Sequence, residues 1–100
     1  MSEGSVLVHI WSVEPEQEAA CIERLDELFA KQITTDAGFV SARILESEDH
    51  ASVAAVIEMR SPEDRERIEQ LPDVRETLDN LHGAANLILR LYQQVKAYDA

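Results

Sequence analysis

Three side chains that move protons or hold anions stand inside apolar runs: His9 in SVLVHIWS, and Arg90 and Tyr92 in LILRLY. An imidazole exchanges a proton near neutral pH without large tuning, so His9 can serve as acid or base to a bound ligand. The competing reading is a core histidine bonded to a backbone carbonyl. Arg90 interrupts the apolar run from Leu87 to Leu91. A guanidinium withdrawn from water needs an anionic or hydrogen-bonding partner, either a phenolate or enolate oxygen or a carboxylate from a neighbouring strand. Tyr92 shares its alternation face and offers a phenol with the same two uses. Trp11, the only tryptophan, lies two residues from His9 and shares its strand face. Its ring can stack on an aromatic ligand, with the indole N–H as a polar handle, or simply fill the core.

Arg43 shares a face with Ser41 and Leu45 and reads as an edge-strand charge or a ligand contact. His82 precedes Gly83 at a predicted helix end, where a cation meets the helix dipole favourably; the alternative is chemistry. His50 falls in a polar turn and reads as inert. Cys21 sits among apolar helix positions and reads as a core thiol. The spacing of His9, His50 and His82 matches no metal-ligand motif, so no metal site is expected. With glycine only at Gly4, Gly38 and Gly83, no phosphate-cradling loop is expected, and neither is a nucleotide or flavin cofactor.

These residues need a scaffold, and 100 residues allow one domain, spanning 1–100. The formal charge of −11, from 20 acids against 9 bases, repels phosphate backbones and anionic membranes, so neither is an expected partner. No apolar run approaches the roughly 18 residues of a membrane span, and no basic n-region precedes the first apolar run. A cytoplasmic protein is expected. The single cysteine excludes an internal disulfide.

Strict alternation predicts a strand from Ser5 to Val13, with Leu7, His9 and Trp11 on one face and Val6, Val8 and Ile10 on the other. Pro15 and neighbouring acids open a helix, carried to about Gln32 by Ile22, Leu25 and Phe29. Phe39–Glu46 and Ser52–Arg60 alternate around a polar turn and form a hairpin. Ser61 followed by Pro62 and Asp64 signals a second helix, Pro72 interrupts it, and Asp73 to Glu76 reads as a fresh capping box. A last strand runs from Asn86 to Lys96. The order β-α-β-β-α-β specifies a ferredoxin-like antiparallel α+β sheet with helices on one face. The strands are apolar on both faces, so a second sheet is expected to cover the open one, giving a homodimer.

With that order in hand, the chain resembles the antibiotic biosynthesis monooxygenase family of dimeric α+β barrels. The resemblance rests on VHIWSVEP (Val8 to Pro15), DAGFVSA (Asp36 to Ala42), IEMRSPED (Ile57 to Asp64) and LPDV (Leu71 to Val74). It implies a small-molecule cavity within each subunit, between sheet and helices, and a polar side chain from the first strand projecting into it, at His9. Many of the family's oxygenases carry a tryptophan where the third strand meets the second helix; this chain has Met59 followed by Arg60. The resemblance implies a cofactor-independent monooxygenase acting on an aromatic or enolic polyketide, or a related cyclase or isomerase. A non-catalytic dimeric ligand-binding protein is the rival from another class. In the oxygenase reading His9 takes the proton, Arg90 and Tyr92 hold the oxyanion, and Trp11, Arg43, Met59 and His82 line the substrate site.

Overall fold

The computed structural model describes residues 4–84, 86–93, 95, 96, 98 and 100, with 79–84 and 86–91 given as backbone. Four strands and the helices between them follow the expected order: β1 (Ser5–Ser12), α1 (Pro15–Leu28), β2 (Phe39–Glu46), β3 (Ser52–Met59), α2 (Pro62–Glu69), α3 (Pro72–Ala84) and β4 (Asn86–Gln93). The sheet is antiparallel throughout, in the order β2-β3-β1-β4. β1 and β2 therefore run parallel with β3 between them, which is the split βαβ arrangement of a ferredoxin-like α+β fold.

Local chemistry accounts for the helix boundaries. Pro15 opens α1, where its missing N–H costs nothing, and the Glu14 N–H donates to Gln17 Oε1 at 3.4 Å. Cys21, Leu25 and Leu28 form its buried stripe. The helix continues as a wider π-turn over Phe29–Ile33, closed by the Thr34 N–H to the Phe29 carbonyl at 2.9 Å, and this turn keeps both Phe29 and Ile33 in the core. Ser61 caps α2 by accepting the Asp64 N–H at 3.1 Å, with Pro62 at the first helical position. α3 starts two residues earlier than the capping-box reading, which makes Val74 the first helical residue: Pro72 is its first residue. Asp73 lies inside the first turn and accepts from Gln32 Nε2 at 3.2 Å, tying α3 to the end of the α1 segment.

Burial alternates strictly along the two central strands. Leu7, His9 and Trp11 of β1 and Val53, Ala55, Ile57 and Met59 of β3 are buried beneath the helices with Leu25, Ile33, Ile68 and Val74. The opposite face carries Val6, Val8, Ile10, Ala54 and Val56, all half-buried, with Leu45 and Tyr92 about half exposed. β2 is the edge strand beyond β3, and its register slips between Phe39 and Ser41, where Val40 forms a bulge.

Two polar networks fix the layers to each other. The half-buried Arg65 guanidinium donates from Nε to Ser5 Oγ at 2.8 Å and pairs with Glu69, joining α2 to the start of β1. Arg67 pairs with Asp36 at 2.5 Å and with Asp64 at 2.7 Å, joining α2 to the turn before β2. Gly38 lies against that turn, its N–H donating to Asp36 Oδ1 at 2.8 Å. A Cβ there would come within 2.6 Å of Asp64 Cβ, so the position is kept small by close approach.

Candidate functional site

β1 is flanked by β3 and β4, and its helix-facing residues occupy the middle of the core. His9 is 3% exposed and Trp11 is fully buried. Two apart on one strand face, their rings lie parallel, with centroids 5.4 Å apart and 6° between planes. Trp11 Nε1 has no hydrogen-bond acceptor among the described residues. A buried indole N–H ordinarily finds one, so this donor is the polar atom that a bound group could satisfy. The pair thus offers a proton-exchanging imidazole, a flat apolar surface and a directed N–H donor.

The strand register distributes the remaining candidates. On β4, Leu89 stands opposite His9, whereas Arg90 stands opposite Val8 and Tyr92 opposite Val6. Arg90 and Tyr92 therefore occupy positions on the open face, and the sheet separates them from His9. Directly opposed residues share a face, and a shift of one residue changes sides. Arg43 is also on the open face: it pairs across from Val56 and is exposed. Arg43, Val56, Val8 and Arg90 form one row across the sheet, with two arginine positions at its ends.

Met59 is fully buried on the helix face, opposite Ser5. Its row lies four residues from the His9–Ala55 row, or about 13 Å along the strand, so Met59 packs the other end of the core. His82 lies in α3, and its side chain falls outside the described residues. Cys21 is buried, and burial pushes its thiol pKa up, which leaves it a core thiol.

The surface grooves lie elsewhere. One of about 430 Å³ runs between α1 and α3, past Arg24, Lys31, Gln32, Asp73 and Thr77. Another, of about 520 Å³, lies beside Arg65, Glu69 and Arg75. Neither touches His9 or Trp11.

One constellation was invisible to sequence spacing. Glu18, Glu46 and His50 converge at the β2–β3 turn, with Nδ1 of His50 3.1 Å from both Glu18 oxygens. Glu18 and His50 are 32 positions apart, and only the packing of α1 beside the hairpin brings them together. The signal available beforehand was a histidine in a tight turn four residues after a carboxylate.

No family model matches the chain, and neither does any curated protein. Solved structures do match. A variant of SnoaB, a cofactor-independent oxygenase from Streptomyces nogalater, is 18% identical with a TM-score of 0.77, covering 96% of this chain and 97% of that one. A protein described as a candidate antibiotic biosynthesis monooxygenase from Nitrosomonas europaea is 13% identical, with a TM-score of 0.82 and coverage of 95% and 93%. Protein SO0527 from Shewanella oneidensis is 16% identical, with a TM-score of 0.84 and coverage of 97% and 96%. The chain therefore has, over nearly its whole length, the ferredoxin-like fold of antibiotic biosynthesis monooxygenase-like proteins, and at these identities the likeness is one of fold.

Proposed function

We propose that this protein is a small cofactor-independent monooxygenase acting on an aromatic or enolic polyketide, with its site around His9 and Trp11. The observation that carries the reading is the buried, parallel-stacked His9–Trp11 pair on the central strand, beneath the helices, in a fold shared with SnoaB. Trp11 supplies a plane for an aromatic ring and an N–H for a substrate oxygen. His9 accepts a proton from the substrate, giving an enolate or phenolate. That anion passes an electron to dioxygen, the radical pair combines to a hydroperoxide, and loss of water leaves a carbonyl. The net change is CH2 + O2 to C=O + H2O, for which the substrate supplies all the electrons. Both rings are closed off from solvent, so ligand entry accompanies a local opening of the helix layer.

The functional unit is a homodimer in this reading. Val6, Val8, Ile10, Ala54 and Val56 form an apolar centre on the open face, bordered by Arg43 and Tyr92 and by the Arg90 position. A second sheet laid against it removes this surface from water. Arg90, Tyr92 and Arg43 then serve assembly rather than the oxyanion.

A second reading, a dimeric binding protein without turnover, is favoured by the same register. With the Arg90 and Tyr92 positions on the other face of the sheet, His9 is the acid–base side chain stacked on Trp11.

Dioxygen uptake by the protein with a panel of phenolic and enolic aromatics, followed by mass analysis of products formed under 18O2, tests the proposal. The oxygenase incorporates one labelled oxygen per product and loses uptake on His9→Ala. Product without uptake identifies a cyclase or isomerase. Saturable binding without product identifies the non-catalytic reading.

A further inference from the structure

The β2–β3 turn assembles a mixed donor set that the proposed chemistry does not use. Glu18 comes from the first turns of α1, Glu46 ends β2, and His50 sits in the turn that follows. Their ligand-capable atoms all lie within 4.8 Å of one another. Nδ1 of His50 is 3.1 Å from Glu18 Oε1 and 3.9 Å from Glu46 Oε2. The Glu18 side chain is only 13% exposed, although an ordinary helix-surface carboxylate stays in water. The turn is tied down from both sides. Ser47 Oγ accepts the N–H groups of Ala51 and Ser52, and the Val13 N–H reaches the Ala51 carbonyl at 2.9 Å. Within it His50 takes a left-handed backbone, at φ 61°.

We propose that Glu18, Glu46 and His50 form a site for a divalent first-row transition metal ion, for which Zn2+ is the suitable probe. Zinc bonds of about 2.0–2.2 Å to imidazole nitrogen and carboxylate oxygen set tetrahedral donors roughly 3.3 Å apart. The observed separations of 3.1 and 3.9 Å reach that geometry by small side-chain rotations. An imidazole donor favours zinc, copper or nickel over magnesium or calcium, and the two carboxylates neutralise the ion. Binding replaces the direct contact between His50 Nδ1 and the Glu18 carboxylate. Three protein donors leave a fourth position for water or an incoming ligand. Its three donors are other residues than His9 and Trp11, and its test needs no turnover.

A chain this acidic attracts cations diffusely, so the experiment must separate a built site from the net field. Calorimetric titration of the full chain with Zn2+ near neutral pH is compared with His50→Asn and Glu18→Gln, each checked for fold by circular dichroism. Asparagine tolerates the left-handed backbone at position 50, and both changes preserve side-chain size closely. The expected result is one Zn2+ per chain, with each substitution weakening binding at least about tenfold, as loss of supporting contacts alone already does. Proton NMR of the wild-type chain should show the His50 imidazole signals moving as Zn2+ is added. Absence of saturable one-to-one binding, or wild-type Zn2+ affinity in either folded variant, overturns the proposal and leaves an ion pair on an acidic surface.

Discussion

His9 and Arg90 sit one row apart on neighbouring strands and on opposite faces of the sheet, because Leu89 and not Arg90 stands across from His9. In the proposed function the two positions therefore have different work. His9→Ala should lower turnover of a confirmed substrate by about 10²–10⁴-fold, the usual worth of a positioned acid or base. Arg90→Ala should leave the chemical step intact and alter self-association instead. Steady-state kinetics and a sizing column on the same two variants check this, and equal loss of turnover in both would restore Arg90 to the site.

That division was partly legible in the sequence. The alternation in SVLVHIWS correctly set Leu7, His9 and Trp11 against Val6, Val8 and Ile10, since a central strand under helices keeps a strict period of two. The element order, the hairpin and the Ser61 cap were equally readable, because each depends on residues within a few positions of one another. The face of Arg90 depended on pairing between strands some 80 residues apart. The all-leucine set Leu87, Leu89 and Leu91 pointed to the correct register, yet residue chemistry drew Arg90 toward His9. Of the Glu18–Glu46–His50 cluster only the Glu46–His50 spacing was local, and Glu18 lay beyond any local pattern. So did the π-turn at Phe29–Ile33, where the demand to bury both residues outweighs regular helix geometry.

Trp11 should carry both stability and signal. Trp11→Ala removes a fully buried ring and is expected to cost about 3–5 kcal/mol. Trp11→Phe, which also removes the buried N–H, should cost clearly less. Denaturant unfolding followed by far-ultraviolet circular dichroism measures both, and equal costs would mean that the ring is loosely packed.

Val8 lies at the centre of the open face and is half-buried in a single chain. Val8→Asp should leave the helix-side core untouched and yield a monomer, because a carboxylate facing an apolar sheet is costly to desolvate. Sedimentation of the wild-type and variant chains decides the matter. Identical behaviour of the two would remove this face from the assembly.

Close approach at Gly38 gives a fourth prediction. Gly38→Ala drives a methyl group into Asp64, where the side chain is already held by Ser61 Oγ at 2.8 Å and by Arg67 at 2.7 Å. The expected loss is about 1–3 kcal/mol. Each kcal/mol is worth roughly 4–8 °C of melting temperature in a domain of this size. A melting temperature within a degree of wild type would show that the Asp64 side chain moves aside freely.

The same network sets the acid response. The Arg67 hydrogen bond holds the Asp36 carboxyl below the usual carboxylate range. Ser61 and then Arg67 do so for Asp64, and Ser47 for Asp49. A depressed pKa contributes stability that is fully present above the unfolded value of about 3.9 and is lost as pH falls through the lower folded values. Melting temperature should therefore fall on acidification below about pH 4. The fall should be shallower in Arg67→Ala, which starts less stable; parallel curves for the two proteins would dissociate the network from the acid response.

The bulge at Val40 has its own bearing on solubility. β2 is an outer strand, with one row of backbone donors and acceptors left over for another chain. By slipping the register between Phe39 and Ser41, the extra residue bends and twists that margin, so an incoming strand cannot align with its whole length. In the proposed homodimer the sheet would accept a partner across its open face while its side stays unwelcoming, which favours a closed pair over an extending fibre.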